Sequence, residues 1–470
     1  MIGDCVIRNA EVEGCPGLDV RIVAGRVAEI GPELDAVRGD TIDARGGAVL
    51  PGLVDHHLHL HAMAALQASV RCGPPAVRDA PGLASALGAA RDDGSGWVRG
   101  VGYVETVAGP LDACALDRLH ARRPVRIQHR SGAQWILNSE AIRASGLADV
   151  WHPGIERGPD GHPTGRVWRA DGVLRDLLPA AGPPRLTAVG ADLARLGITA
   201  VTDATPDLPH SSLAALTDAV RSRDLPQRLH LLGVPLGSGP VPSIGGRVTV
   251  GPYKIVLADS DPPDLDRLAD TIRRAHAAER AVAVHAVTRE SLAVLLAVLD
   301  EVGCVSGDRL EHASIVPAEV IDRVRRHGLT VVTQPGFIAD RGDDYRARVD
   351  VRDHPDLYRC GSLLDGGVPV ALSSDAPYGP LDPWSVIAAA VDRRTESGAV
   401  LGGRERVAAV TALAGYLAPP ARPGGAARRV RLGAPADLVV LGVTLREMLD
   451  CPDSAAVGTV LVDGHVVYGK

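Results

Sequence analysis

The chain has 470 residues, of which 46% are hydrophobic, 23% charged and 3% aromatic, with a formal net charge of −7. That length supports one large core and a smaller satellite domain, and the composition excludes a disordered or fibrous chain. The acidic balance argues against a nucleic-acid partner, because no basic excess is available to displace phosphate counterions. Seven cysteines (5, 15, 72, 114, 304, 360 and 451) are odd in number and never form CxxC. A disulfide framework or thiolate zinc site is therefore not expected, and a reducing cytoplasm is. The start carries Asp4 and no basic flank before an apolar core, and nowhere do 18 apolar residues run together without a charge or His. Neither a secretory signal nor a membrane span is predicted.

The first 50 residues read as short Val- and Ile-rich strands separated by Gly or Asp, namely CVIRNAEVEG, DVRIVAGRVAEIG and DTIDARGGAVL. The tail is similar, with ADLVVLG at 436–442 and VGTVLVDGHVVYG at 457–469. Both ends together predict one small β domain, a composite of residues 1–50 and 425–470, with a larger domain at 51–424 inserted between its strands. That larger domain alternates strand and helix. Apolar β-branched runs fall at 48–57, 197–203, 228–234, 252–258, 281–286, 309–314, 329–334 and 368–374. Helix-like stretches such as 264–280 and 289–303 lie between them. Eight strands with helical crossovers predict an α/β fold of the (β/α)₈ TIM-barrel type. A doubly wound open sheet is the alternative, but no Gly-rich phosphate turn follows the first strand.

More than 130 residues separate the first two of these strands, far beyond one crossover. Residues of about 65–180 are therefore expected to form an inserted subdomain over the barrel mouth. Trp97, Trp135 and Trp151 fall within it and Trp168 lies near its end. They suit either a substrate-facing lid or the subdomain's own core.

The strongest local signal is Asp55-His56-His57-Leu58-His59, directly after Pro51-Gly52. Positions two apart on a strand share a face, so His57 and His59 enter the lumen together at the catalytic end of a barrel strand and can share a metal ion. His56 has the wrong parity and reads as packing, and His61 is ambiguous. Asp55 shares parity with His57 and reads as a ligand-orienting acceptor or as a structural anchor. Further metal-capable groups follow at strand spacing: Lys254, then His285 after 31 residues, His312 after 27 and Asp375 after 63. Only two of the 50 basic residues are lysines, and Lys254 is the internal one. Four imidazoles and two anionic groups suit a pair of divalent ions, zinc above all, if Lys254 carries CO₂ as a bridging carbamate. Arg cannot supply that chemistry.

The set PGLVDHHLH, Lys254, AVAVHA, RLEHAS and SSDAP resembles the amidohydrolase superfamily, and ADLVVLG resembles its β-sandwich signature. Asn138-Ser139 and Pro163-Thr164-Gly165 in the insertion resemble the YtcJ-like branch, which includes N-substituted formamide deformylases. The resemblance implies that His57, His59 and Asp375 hold a first ion, that His285 and His312 hold a second, and that carboxylated Lys254 bridges them. It implies hydrolysis of an amide, N-acyl, N-formyl or cyclic-amide C–N bond of a small molecule by a metal-bound hydroxide, with Asp375 moving the proton. Homodimers are common among such enzymes, although no residue pattern here argues for one.

One departure is that Gly132-Ala133 stands where YtcJ-like chains usually have Gly-His. His129 is the nearest substitute, though a structural role suits it better. The rival readings are a one-ion site with unmodified Lys254, a deaminase or decarboxylase on the same ligands, and a non-catalytic scaffold, which predicts missing ligands. Gln334 and Tyr378 follow strands and are possible pocket residues. Asp203 is a lumen group or a cap. Ser373-Ser374 lacks a nucleophile elbow, and Cys304 and Cys360 lack a matching His constellation.

Overall fold

The computed structural model describes residues 4–35, 39–90, 96–178, 182–257 and 264–469. The far end of the expected strand at 252–258, the end of the expected insertion near 180 and the terminal Lys470 lie outside these residues. The chain divides into two compact units, Met1–Leu60 with Arg185–Lys470, and His61–Pro184.

In the first unit, strands from both ends of the chain pair in one mixed eight-stranded sheet. Cys5–Val12 pairs with Cys15–Val23 on one side and with Ala48–Pro51 on the other, and Ala48–Pro51 pairs in turn with Leu438–Leu441. Alternating Val, Ile and Leu side chains, among them Ile7, Val20, Ile22, Leu438, Val440 and Leu461, make its core.

The run at 48–57 is not a single strand. It divides at Gly52 into Ala48–Pro51, which belongs to the terminal sheet, and Leu53–Leu58, which begins the parallel layer. The Gly52 amide donates to the Asp437 carbonyl, and a Cβ at Gly52 would lie 2.1 Å from Thr199 Cγ2. Only glycine lets the backbone pass so close, and the chain changes sheets there.

The parallel layer comprises two sheets. Leu53–Leu58, Ile198–Asp203, Arg228–Leu231 and Val248–Val250 form one. Tyr253–Val256, Val282–Ala286, Arg309–His312, Thr330–Thr333 and Val370–Leu372 form the other. No closed barrel of paired strands is present among the described residues. The first sheet ends at Gly251-Pro252, where Pro has no amide to donate and a Gly251 Cβ would meet His230 Nε2 at 2.2 Å. Backbone bonds reach across both seams, among them Lys254 N to the Leu232 carbonyl (3.2 Å) and Asp375 N to the His57 carbonyl (2.8 Å).

Helices separate most consecutive strands of this layer, but among the described residues none lies between Arg228–Leu231 and Val248–Val250 or between Val248–Val250 and Tyr253–Val256. Leu265–Ala277 starts on an Asp264 cap, and Arg289–Val302 starts on a Thr288/Ser291 capping box. Both lie within the stretches expected to be helical. Val248–Val250 is a strand that the hydrophobic pattern did not indicate, since Gly and Arg surround three residues.

The His61–Pro184 unit is built on a six-stranded sheet ordered Ile155–Arg157, Pro163–Trp168, Gln134–Leu137, Val125–His129, Val98–Tyr103, Val70–Arg71. Trp97 and Trp135 are buried in one of its cores, whereas Trp151 and Trp168 are exposed.

Candidate metal centre

Leu53–Leu58 is buried along its whole length, as expected for a strand covered on both faces. The Asp55 carboxylate accepts from His57 N (3.1 Å) and from Ser374 N (3.2 and 3.3 Å). It is a structural anchor that ties this strand to the segment after Val370–Leu372, and burial pushes its carboxyl up to about 7. His59 N adds a bond to the Ala376 carbonyl at 2.9 Å. These contacts bring Asp375 beside His57 and His59, which lie near one end of the neighbouring strand.

His312 and Asp375 both have left-handed backbones, with φ of +69° and +55°, and Ala313 follows at +47°. Such non-glycine conformations cost about 1–3 kcal/mol each and persist where the surroundings over-determine them. At His312 the turn has a visible consequence. Successive residues Glu311 and His312 both meet groups of the same buried cluster, which a regular strand forbids.

The imidazoles form a continuous chain. Ring centroids are 5.4 Å apart for His59 and His57, 4.6 Å for His57 and His312, and 4.4 Å for His312 and His285. Asp375 Oδ1 lies 3.3 Å from His59 Nε2 and 3.6 Å from His57 Nε2, and Oδ2 lies 3.8 Å from His312 Nδ1. One ligand atom each from His57, His312 and Asp375 falls within 4.8 Å of the others, close enough to share an ion.

The Nδ1 atom of each of three rings faces a separate partner. His57 Nδ1 meets Glu311 Oε2, His312 Nδ1 meets Gln334 Oε1 (3.0 Å) and His59 Nδ1 meets Thr205 Oγ1 (3.2 Å). The glutamate and amide oxygens accept, so His57 and His312 carry their protons on Nδ1 and their lone pairs on Nε2. Burial holds both rings well below the usual imidazole range, with Lys254 adding to the effect at His57 and neighbouring His57 at His312. His285 is pushed down to about 4, first by burial and then by Lys254. These rings are neutral, the form that binds metals.

A neutral Nε2 opposite a carboxylate oxygen sets lone pair against lone pair. His57 Nε2, Asp375 Oδ1 and Lys254 Nζ are all buried without a hydrogen-bond partner. Leaving such groups unpaired is costly, and a divalent cation held by His57 and Asp375 would remove the conflict. The donor set of imidazole and carboxylate fits zinc or a similar ion. Burial pushes the Lys254 amine down to about 8, against the opposing pull of Glu311 and Asp375.

Lys254, His57 and His312 are buried, and His285 is partly so. Lys254 and His285 lie on adjacent paired strands, where Val256 faces His285 in the register. Among the described residues, the compact His57–His312–Asp375 group does not take in His285 or His59.

The sequence did not single out Glu311, Arg309 or Thr205 as site residues. Arg309 and Glu311 sit within the RLEHAS run, where two charged residues in a short strand-like segment were the available signal, and the strand is buried throughout. Gln334, a possible pocket residue by position, is buried, and its amide also donates to Ser373 Oγ (2.9 Å). Tyr378 is about half exposed, with its ring edge-on to His59 at 5.5 Å.

Other expectations fall elsewhere. Asp203 is a cap, accepting from Leu60 N and Thr205 N. His56 is fully buried, in keeping with packing. Ser374 Oγ accepts from Ala376 N. Cys304, for which no His partner was expected, has one: its Sγ is 3.4 Å from His327 Nδ1, and His327 Nε2 is 2.8 Å from Asp300. Burial, with Asp308 and Asp300 nearby, pushes this thiol up to about 11, so it stays protonated and unreactive.

In the His61–Pro184 unit, Asn138 is structural. Its Oδ1 accepts from Val125 N and Ala141 N, and its Nδ2 donates to the His120 and Arg123 carbonyls. Gly165 of the Pro163-Thr164-Gly165 run has φ +90°, and a Cβ there would lie 2.4 Å from the Leu137 carbonyl. His129 is held between Ser131 and Glu105.

Comparison with known proteins places this chain in a family. The amidohydrolase family model matches residues 40–468, and the chain belongs to that family. It is 26% identical to the N-substituted formamide deformylase of Arthrobacter pascens, over 96% of this chain and 94% of that protein. It is also 26% identical to the YtcJ amidohydrolase of Bacillus subtilis, over 76% and 75% of the two chains. An uncharacterized metal-dependent hydrolase from Pyrococcus horikoshii shares the fold with a TM-score of 0.77 at 20% identity, covering 98% and 99% of the chains.

Proposed function

We propose that the protein is a metal-dependent hydrolase that cleaves a C–N bond of a small molecule, an amide, N-acyl, N-formyl or cyclic amide. The observation that carries this reading is the pairing of an unprotonated imidazole nitrogen with a buried carboxylate: His57 Nε2 lies 3.6 Å from Asp375 Oδ1, and the His59 ring approaches the same oxygen at 3.3 Å. Family membership and the formamide deformylase relative supply the reaction class.

His57, His59, His285, His312, Asp375 and carboxylated Lys254 are the proposed ligands. A bound divalent ion would acidify water towards a pKa of about 7 and polarise the substrate carbonyl. Asp375 turns Oδ1 towards His57 and His59, and its Oδ2, 3.8 Å from His312 Nδ1, would accept a proton from the attacking water. The same proton passes to the leaving nitrogen as the C–N bond breaks. An amine lowered to about 8 has a neutral fraction at physiological pH that can add CO₂ with loss of one proton. The resulting carbamate would give the unpartnered Nζ end of Lys254 the anionic character that a two-ion site requires. For the framework, we propose that the two parallel sheets, of four and five strands, are arcs of one (β/α)₈-type ring, in which Val248–Val250 and Tyr253–Val256 count as one interrupted strand and the ring closes at the Lys254 and Asp375 seams.

A second reading, with one ion, is favoured by the compactness of the His57–His312–Asp375 group alone. Elemental analysis before and after loading with zinc and bicarbonate separates the two. About two ions per chain is the expected result and would lead to screening N-formyl and N-acyl amides. One ion supports the second reading, and none after loading overturns both.

A further inference from the structure

Resting on the proposed metal centre, we infer that Glu311 and Arg309 form a positioning pair that fixes the tautomer, orientation and donor strength of His57, and so makes His57 the dominant ligand. Arg309 Nε donates to Glu311 Oε1, and Glu311 Oε2 meets His57 Nδ1. Arg309 Nη2 also reaches the carbonyl of His56, at 3.3 Å. The guanidinium thus holds both the carboxylate that orients the His57 ring and the peptide that carries it. His56, His57, Arg309 and Glu311 are at most 2% exposed, so water cannot replace any of these contacts.

The chemistry of this partner differs from those of the neighbouring rings. His312 leans on a neutral amide, and His59 on a hydroxyl at 3.2 Å. Of these three Nδ1 hydrogen bonds, that of His57 is the one made to a carboxylate. A carboxylate accepting from Nδ1–H draws the proton away from the ring and raises electron density at Nε2, strengthening it as a metal ligand. A second consequence is geometric. The left-handed turn at His312 allows a single strand end to supply both a ligand and, one residue earlier, the group that orients a ligand on another strand.

Burying the Arg309–Glu311 pair is expensive unless it performs such a task, because a packed apolar pair of similar volume is often as stable or more so. The pair is therefore better explained by orientation than by stability.

The test uses the full-length protein and two variants. Glu311→Gln keeps the shape but removes the charge, and the double variant Arg309→Met/Glu311→Gln leaves no unpaired buried cation. Histidine ring ¹⁵N spectra of the metal-free protein read the tautomer, and chelator competition reads the affinity for Zn²⁺. With Co²⁺ in its place, the visible spectrum reads ligand strength. Wild type should show one Nδ1–H shifted far downfield, which both variants lose while melting cooperatively. Both should bind Zn²⁺ about 10–100-fold more weakly and show an altered Co²⁺ spectrum. Gln334→Leu, which removes the amide partner of His312, should weaken Zn²⁺ less than Glu311→Gln does. Unchanged affinity and Co²⁺ spectrum in folded variants would overturn the inference and leave the metal-centre reading standing. A wild-type protein that binds no metal overturns the metal centre, and a downfield Nδ1–H that persists in Glu311→Gln overturns the positioning pair on its own.

Discussion

Two buried asparagine- and histidine-containing regions of this protein use polar atoms in opposite ways. In the inserted unit, Asn138 saturates its amide with four hydrogen bonds to backbone and caps the Ser139–Ser145 helix. At the ends of the parallel strands, His57 Nε2, Asp375 Oδ1 and Lys254 Nζ are buried with none. Nearby, His312, Ala313 and Asp375 hold left-handed backbones without being glycine. Satisfied polar groups mark architecture, because folding selects closure of every donor and acceptor. The unsatisfied atoms at these strand ends, beside left-handed backbones, fit a place where something other than protein completes the bonding.

The sharpest way to break this contrast is Asp375→Asn. Its turnover should fall by about 10²–10⁴-fold with the thermal melt unchanged, since proton transfer is lost and the packing is not. Unaltered kcat would remove Asp375 from that role. Lys254→Ala should lose bound metal and activity together, and Lys254→Arg should restore neither, because a guanidinium cannot form the carbamate. Metal content measured on both variants is the check, and an active Arg variant would sink the carbamate.

Asn138→Ala addresses the other region. It strands two backbone donors and two carbonyls in a buried setting, so a loss of about 2–4 kcal/mol in urea unfolding is expected. The kcat of folded protein should not change.

Acid sharpens the comparison further. His230 is pushed down to about 3 and His285 to about 4, and His56, His57 and His312 fall well below 6.5, all chiefly by burial. Their folded-state affinities for protons are depressed, so the unfolded chain takes up protons first, from pH of about 6.5 downwards. Each such histidine therefore removes stability as pH falls from about 6.5 towards its folded value, by up to about 1.4 kcal/mol per pH unit. Asp55 has the opposite sign. Raised to about 7, it favours the fold at low pH, and that contribution is lost as pH rises from about 4 to 7. Because histidines outnumber it, urea midpoints of metal-free protein should drop between pH 6.5 and 5. A rising midpoint would mean that the rings are protonated in the fold. The smallest effect belongs to His129→Ala, which removes a solvent-facing contact to Glu105. It should change stability by about 1 kcal/mol or less and leave turnover as it was. Loss of turnover there would give His129 a role in substrate handling.

Much of the site was legible because strand periodicity and side-chain chemistry are local. His57 and His59 two apart after Pro-Gly, and His285 and His312 at strand spacing from Lys254, need only the alternation of a β-strand to be read as converging. Membership in the amidohydrolase family was legible for the same reason, since its motifs sit at strand ends. The structure decided what depends on contacts between strands far apart in the chain. Glu311 meets His57 across 254 positions, and Asp55 meets Ser374 across 319. No periodicity encodes such pairs. Likewise the change of sheet at Gly52 depends on Thr199, and the break at Gly251-Pro252 depends on His230, a side chain from a neighbouring strand. The sequence alone determined which groups could bind an ion, whereas tertiary structure determined which ring nitrogen is left to do so, because a tautomer is set by the hydrogen bond at the other nitrogen.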